Sequence, residues 1–214
     1  LSFCRSLSMS ETADIGTFEF WLRNDPRPGK PRGYYSPYHA SCRAGFTRGV
    51  GVRLIAVKAD STTKTIWKGK IRKILPLSNQ FGAQQTYCYA TDAMDDLADT
   101  NVKSLTPQIG KTEVELFQAV IAEMPTDAQP TAFDYDTALD TYDYAFYDIG
   151  GSTPSARSLI DRVNQNARGR VFIACDGTFT YVNRHTISGS VSSFTLTNSF
   201  QDIMGADGLE NTFN

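Results

Sequence analysis

Apolar and polar residues alternate in several stretches of the first ninety residues, which is the pattern of strands with one buried face. Residues 17–24 show it most clearly, with one face formed by Phe18, Phe20 and Leu22 and the other by Glu19, Trp21 and Arg23. The alternation predicts three further strands, over residues 50–58, 65–75 and 84–91. Residues 25–37 contain four prolines and two glycines and predict a loop. The pattern predicts an antiparallel β-barrel-like domain whose core includes Phe18, Phe20, Val52, Leu54 and Ile71.

After residue 90 the apolar spacing becomes that of helices. Residues 91–99 predict a short helix. Thr112 and Glu115 have the spacing of a capping box, which predicts a helix that ends before Pro125. Pro154 suits the first turn of a third helix, which should end before Gly169. We expect the inner faces of the second and third helices to include Phe117, Val120, Ile121, Leu159, Ile160 and Val163.

A β-hairpin over residues 170–184 is predicted by two apolar runs that flank Asp176-Gly177, a typical turn pair. Residues 125–148 predict a loop rich in Asp and Tyr, with a strand over residues 144–149. The last thirty residues are rich in Ser and Thr and are expected to be extended. Since a single hairpin is marginally stable, the two helices should cover it.

These elements predict an α+β protein. Its N-terminal antiparallel β-barrel-like domain spans residues 1–96. An α/β domain follows over residues 97–190, with its two main helices near residues 112–124 and 155–168 and its hairpin at 170–184. Residues 191–214 are expected to begin a second barrel or to add edge strands, because Phe194–Asn214 has too few apolar residues to form a domain alone.

The charge of the chain is divided unequally between its two parts. The 214 residues contain 21 Lys and Arg and 23 Asp and Glu, a net charge of −2. Residues 1–90 hold 14 basic and 5 acidic residues, a net charge of +9, whereas residues 91–214 hold 7 and 18, a net charge of −11. This division predicts two units with different surfaces. The basic cluster of Lys68, Lys70, Arg72 and Lys73 favours a solvated strand face over a nucleic-acid site.

No apolar run approaches the roughly 20 residues that a membrane helix needs, and the first residues lack the pattern of a signal peptide. We therefore expect no membrane span. Cys4, Cys42, Cys88 and Cys175 are far apart in the sequence and only two histidines are present, which argues against a zinc site. We expect these four cysteines to be free thiols, most of them buried.

Three patterns that could support chemistry have a simpler interpretation. Gly110-Lys111-Thr112 ends like a phosphate-binding loop, but Leu105 stands where that loop needs glycine, so the capping box is favoured. Cys175 and His185 could form a nucleophile and base, yet a cysteine in an apolar strand favours packing. A solvated acidic loop is favoured over a calcium site, because the mid-loop glycine and terminal glutamate of a calcium-binding loop are missing around Asp134, Asp136, Asp140, Asp143 and Asp148. We therefore predict no enzymatic activity, metal or cofactor.

The order of these segments resembles that of the central hub proteins of phage baseplates and tail tips, and of the related hubs of contractile injection systems. The likeness covers nearly the whole chain. In the first domain it rests on Gly16–Asn24 with Tyr35-Ser36-Pro37, on Arg48–Leu54, on Trp67–Ile71, and on Tyr89–Ala93 with Leu97. The two later helices and the hairpin follow in the family's order. Phe194–Asn214 resembles the first strands of the family's second barrel, so the chain is a fragment or the rest of that barrel is supplied elsewhere.

This resemblance implies a structural component of the virion tail that is assembled in the host cytoplasm. Such hubs are rings, commonly homotrimers, that connect the tail tube to the tip and other baseplate proteins. DNA passes through their channel without specific binding. An acidic lining from the second half of this chain would suit that passage, because like charges keep DNA from adhering.

Two other functions stay open at the level of sequence. One is a carbohydrate- or receptor-binding tail module, in which aromatic side chains stack on sugar rings. Its candidate residues are Tyr34, Tyr35, Tyr38 and the tyrosines of residues 142–147. The other is a cell-wall hydrolase, for which the sequence offers no nucleophile and base.

Overall fold

A computed structural model describes residues 12–78, 84–147 and 153–189, except for the side chains of residues 78, 188 and 189. Of residues 2–4 it describes the backbone alone. The predicted edge strands in Phe194–Asn214 lie outside these residues. The fold is α+β, as predicted. Its first part is a curled antiparallel sheet of four long strands and one short edge strand, which forms a half-barrel. The strand order is β1-β2-β5-β4-β3, with β1 at Ser2–Cys4, β2 at Thr17–Arg23, β3 at Gly51–Val57, β4 at Thr63–Ser78 and β5 at Gln84–Thr91.

One face of this sheet carries the smaller of two hydrophobic cores. Its buried members are Phe18, Trp67, Ile71 and Ala90, and Phe20, Val52 and Leu54 pack against them partly buried. The predicted core and strand register are therefore confirmed. Trp67 approaches Phe18 with ring centroids 5.2 Å apart. Gly69 is required beside it, because a Cβ there would lie 2.1 Å from the carbonyl oxygen of Thr91.

The second part contains four helices and five short strands among the described residues. The helices are α1 at Ala93–Asp99, α2 at Glu113–Ala122, α3 at Ala156–Ala167 and α4 at Arg184–Gly189. The strands are β6 at Gln108–Thr112, β7 at Phe133–Tyr135, β8 at Thr141–Ala145, β9 at Arg170–Ile173 and β10 at Phe179–Val182. Strands β6 and β8 form an antiparallel ribbon, whereas β7, β10 and β9 form a three-stranded sheet.

The larger core lies where α2 and α3 cover the β9–β10 hairpin, as predicted. It contains Phe117, Val120, Ile121, Leu159, Ile160, Val163, Val171, Ile173, Phe179 and Tyr181. Met94 and Leu97 of α1 belong to the same core. The capping box is also confirmed, since the Thr112 hydroxyl accepts from the Glu115 backbone N–H and the Glu115 carboxylate accepts from the Thr112 N–H.

Tertiary contacts change the prediction for residues 125–148. The predicted strand over residues 144–149 is wrong in its bounds: β8 spans Thr141–Ala145, and it ends because Phe146 adopts a left-handed backbone with φ 62° while its ring is buried. Strand β7 lies in the expected loop and pairs in parallel with β10. Helix α4 occupies the start of the stretch expected to be extended, so the hairpin ends at Val182.

The turn of the hairpin changes the prediction for the cysteines. The Ala174 N–H donates to the Thr178 carbonyl, so Cys175, Asp176 and Gly177 form the loop, and Gly177 has φ 87°. Cys175 is thus exposed in a turn and does not pack within a strand. Of the three described cysteines, Cys88 alone is buried, and the prediction that most of them are buried is wrong for this part of the chain. Among the described residues, no helix is long and apolar enough to cross a membrane.

Candidate assembly surfaces

A cluster of ion pairs joins the half-barrel to α1. Arg72 of β4 donates through Nη2 to Asp96 at 2.6 Å, and its Nε forms an ion pair with Asp95 at 2.7 Å. Lys70, two residues earlier, contacts Asp96 at 2.9 Å and also donates to the carbonyl of Asp127. The four side chains are one-third exposed or less. Two cations of β4 therefore hold the first turn of α1 against the sheet.

The expectation of a solvated basic face is wrong for Lys70 and Arg72. Burial disfavours the charge of Arg72, but the hydrogen bond to Asp96 and the charges of Asp96, Asp95 and Asp99 outweigh it and raise the pKa of the guanidinium. Sequence reasoning missed these partners because residues 70 and 96 are distant in the chain. The sequence signal that could have indicated this pairing is the alternation of basic residues along β4 together with two adjacent acids, Asp95 and Asp96, in the first turn of α1.

The half-barrel has an open edge at β3. Among the described residues β3 pairs with β4 alone, through a ladder that runs from Gly51 opposite Lys70 to Val57 opposite Thr63. Val57 is 70% exposed. An edge strand leaves backbone N–H and C=O groups free to pair with another chain. The β3 edge is therefore a candidate surface for strand addition.

The face of the sheet opposite this core carries exposed apolar side chains. Trp21, Tyr87 and Leu75 lie opposite one another on β2, β5 and β4. The Trp21 and Tyr87 rings are 5.3 Å apart between centroids. Trp21 is half exposed, as is Leu77 farther along β4. Apolar groups in such a row are typical of a contact surface more than of a solvated face.

A long segment between β2 and β3, which we call the basic loop (residues 26–50), covers one end of the half-barrel. It contains Arg27, Lys30, Arg32, Arg43 and Arg48 and no acidic residue. The buried Asn24 amide anchors it, accepting from the Tyr35 N–H at 2.8 Å and donating to the Ser36 hydroxyl at 2.7 Å. The Thr86 hydroxyl of β5 donates to the Tyr35 carbonyl. The loop has little secondary structure but is fixed to the sheet.

A second segment, the acidic segment (residues 127–143), holds Asp127, Asp134, Asp136, Asp140 and Asp143 and no Lys or Arg. Its backbone is anchored by Glu113, which is fully buried and accepts from the N–H groups of Leu139 at 2.6 Å and Asp140 at 3.1 Å. The Tyr181 hydroxyl also donates to Glu113. Sequence reasoning missed this buried glutamate, because in the sequence Glu113 reads as an ordinary charged residue of the first helical turn.

Two aspartates of this segment have internal partners. Arg184 of α4 binds Asp140 with both Nη atoms, and this hydrogen bond, opposed by slight burial, lowers the pKa of the Asp140 carboxyl. Asp136 accepts from the N–H groups of Thr137 and Asn183. The expected fully solvated loop is thus wrong for these two carboxylates. Within the described ranges, no group of His, Cys, Asp and Glu could hold a metal ion.

The other sequence candidates are placed as follows. Gly110-Lys111-Thr112 lies at the end of β6 and leads into the capping box of α2. Cys175 and His185 lie at opposite ends of β10, one in the hairpin turn and the other in α4. Tyr34 and Tyr35 pack against each other edge to face at 5.0 Å, and Tyr142 contacts the larger core. Tyr38, Tyr144 and Tyr147 are exposed.

Comparison with known proteins gives matches among solved structures. No family model matches the sequence, and no curated protein matches it. The crystal structure of the prophage MuSo2 43 kDa tail protein from Shewanella oneidensis matches 84% of this chain with a TM-score of 0.54 and 10% identity. This chain covers 47% of that protein, about half its length.

Two further tail-related structures match with lower scores. A tail protein from Neisseria meningitidis has a TM-score of 0.43 and 13% identity over 56% of this chain and 36% of its own. The c3393 protein of E. coli, a component of the type VI secretion system with structural similarity to the bacteriophage T4 tail proteins gp27 and gp5, has a TM-score of 0.48 and 9% identity over 79% and 42%. The similarity to the Shewanella protein establishes a shared fold, and the chain thus has the fold of a phage tail protein, as its resemblance to the tail hub family predicts.

Proposed function

We propose that this chain is a structural component of a phage tail tip or baseplate hub, without enzymatic activity, that connects the tail tube to the tip. The observation that carries the proposal is the fold shared with the MuSo2 tail protein over 84% of the chain. In this proposal the protein works in the virion tail after assembly in the host cytoplasm, and its partners are other copies of itself and neighbouring tail proteins.

The open edge at β3 supports assembly into a ring, which we propose is a homotrimer. An edge strand that pairs with a neighbouring copy no longer exposes free backbone groups, and a head-to-tail contact closes into a ring when its rotation closes. The proposed ring surrounds the channel for DNA. Acidic residues of the second half would face that channel and repel the phosphates, so that DNA passes without specific binding.

Negative-stain electron microscopy and mass photometry of the purified chain test this proposal. We expect rings, and we expect Val57→Lys to reduce their number because a charged side chain on an edge opposes strand addition. Gln165→Lys is the control, since it adds the same charge at an exposed position of α3 that belongs to none of the candidate surfaces. A chain that stays monomeric at every concentration tested, alone and with the tail tube protein, would contradict the proposal.

A carbohydrate- or receptor-binding tail module is the second candidate. Tyr38 is fully exposed, and Tyr144 and Tyr147 are 70% and 75% exposed, so their rings are available for stacking. A glycan array tests this function directly. Binding that is lost in Tyr38→Ala or Tyr144→Ala, by a chain that forms no rings, would favour it over the hub.

A further inference from the structure

We propose that the basic loop of one copy binds the acidic segment of a second copy of this chain. This inference rests on the proposed function, because it names the surfaces through which the copies of the hub would meet. Each surface carries five residues of a single charge sign and none of the other. Complementary charge of this kind sets the partner and the register of an interface.

The cations of the basic loop are available for a partner. Arg27, Arg32, Arg43 and Arg48 are exposed. None of Lys30, Arg32, Arg43 and Arg48 forms an ion pair with a carboxylate in the part of the chain that the structure describes. Lys30 lies 5.6 Å from the centroid of the Tyr35 ring and donates to its hydroxyl. The loop thus presents positive charge that no carboxylate compensates within the described ranges.

The loop also has the shape of a receiving surface. A cavity of about 830 Å³ opens between the loop and β4. Its lining includes Pro37, Phe46 and Ile74 together with Arg43 and Arg48. Phe46 packs against Tyr35 with ring centroids 5.4 Å apart, and the Tyr35 N–H donates to Asn24. These contacts hold in place the part of the loop that carries Arg43 and Arg48. A fixed surface loses little entropy on binding.

The acidic segment has the matching properties. Asp127, Asp134 and Asp143 are exposed, and no ion pair engages them within the described ranges. Exposed aromatic side chains lie in the same strands as two of them, Phe133 in β7 with Asp134 and Tyr144 in β8 with Asp143. Glu113 and Arg184 hold the backbone between them, as described above. Exposed carboxylates and exposed rings in one segment suit a cavity that is lined by both arginines and apolar side chains.

The two segments do not neutralise each other within one copy. No hydrogen bond, ion pair or ring contact joins residues 26–50 to residues 127–143, both of which are fully described. Two basic loops would repel each other, and so would two acidic segments. A head-to-tail contact instead brings the basic loop of one copy against the acidic segment of the next. DNA would also attract the basic loop, but DNA has no surface that matches the acidic segment. A second copy of this chain offers a partner of opposite charge to both surfaces.

A charge-swap series tests the proposal by sedimentation velocity of the whole chain at 50 and 500 mM salt. We expect Arg43→Glu/Arg48→Glu to weaken self-association roughly tenfold or more, since it places like charges together. Asp134→Lys/Asp143→Lys should do the same. The four substitutions combined restore opposite signs and should recover association. High salt should weaken the wild-type contact by screening. Lys103→Glu/Arg170→Glu is the control with an equal change in charge, and it should associate normally.

The outcomes separate this inference from the hub function. Rings that persist unchanged in Arg43→Glu/Arg48→Glu would leave the hub proposal intact and overturn this interface. Salt-sensitive dimers that this variant abolishes, without rings, would support the interface and contradict the ring. Unchanged association together with a loss of binding to a 30-base-pair duplex, followed by fluorescence anisotropy, would assign the loop to DNA and overturn the proposal. A chain without self-association under any condition would overturn both. Circular dichroism of each variant confirms its fold.

Discussion

The Nη2 atom of Arg72 lies 2.6 Å from Oδ1 of Asp96, a carboxylate whose side chain is 9% exposed. This contact connects β4 of the half-barrel with α1, whose Met94 and Leu97 belong to the larger core. Because Asp95 and Lys70 complete a cluster of two cations and two anions, removal of one member leaves one excess charge in a partly buried place. The two cores are therefore coupled by electrostatics as well as by the chain itself.

Asp96→Ala should lower the free energy of unfolding by about 1–3 kcal/mol, because Lys70 and Arg72 lose a shared, mostly buried partner. Urea denaturation measures the change. The control is Asp25→Ala, which removes an exposed ion pair with Arg23 and should leave the free energy of unfolding nearly unchanged in the same assay. Equal effects of the two substitutions would show that the Asp96 cluster contributes no more than a surface pair.

Glu113→Ala should cost on the order of 3 kcal/mol, since the N–H groups of Leu139 and Asp140 and the Tyr181 hydroxyl lose their acceptor in the core. Glu113→Gln is the matched variant. It keeps the shape and one acceptor oxygen and should cost less. Chemical denaturation gives both values, and amide hydrogen exchange at Leu139 and Asp140 should accelerate in the alanine variant. If exchange there is unaltered, Glu113 does not anchor the acidic segment.

Leu159→Ala should destabilise the chain by about 2–5 kcal/mol, because Leu159 is fully buried between α2 and the hairpin and its truncation leaves a cavity. Gln165→Ala on the exposed side of α3 is the control and should be nearly neutral. Thermal unfolding compares the two. A loss below about 1 kcal/mol for Leu159→Ala would mean that this face of α3 is not core.

The ion pair of Asp140 with Arg184 should make stability depend on pH. The pKa of Asp140 is lower in the folded chain than the value of about 3.9 in the unfolded chain. Its contribution is therefore fully present above about pH 5 and is lost as the pH falls through the folded pKa. Melting temperatures of wild type and Asp140→Asn, at concentrations where both are monomeric, should differ at pH 7 and converge toward pH 2. A difference that is constant down to pH 2 would rule out a role of the carboxylate charge.

The thiols should differ in reactivity. Burial raises the pKa of Cys88 to about 11, whereas Cys175 is exposed in the hairpin turn. Since the thiolate is the nucleophile, alkylation at pH 8 followed by peptide mass spectrometry should label Cys175 quickly and Cys88 only after unfolding. Labelling in urea provides the control for intrinsic reactivity. Fast labelling of Cys88 in the native chain would contradict the burial of β5.

The elements that the sequence predicts well depend on neighbours in the chain. The alternation of Phe18 and Phe20 with Glu19 and Trp21 identifies the buried face of β2, because side chains on a strand alternate between its two faces. The pair Thr112 and Glu115 identifies the start of α2, because a capping box closes within four residues. The Asp176-Gly177 pair identifies the hairpin, although not the extent of its loop.

Tertiary structure alone decides the features that depend on distant partners. The parallel pairing of β7 with β10 organises a segment whose local composition indicates a loop, because the strands that pair are more than forty residues apart. Glu113 is buried because two backbone N–H groups and Tyr181 surround it, and Lys70 and Arg72 are paired because α1 folds back onto β4. The sequence by itself determined the periodicity, the caps and the opposite charges of the basic loop and the acidic segment. Which charges are paired and which stay exposed follows from the packing, because solvation and distance in three dimensions set the energy of a charge.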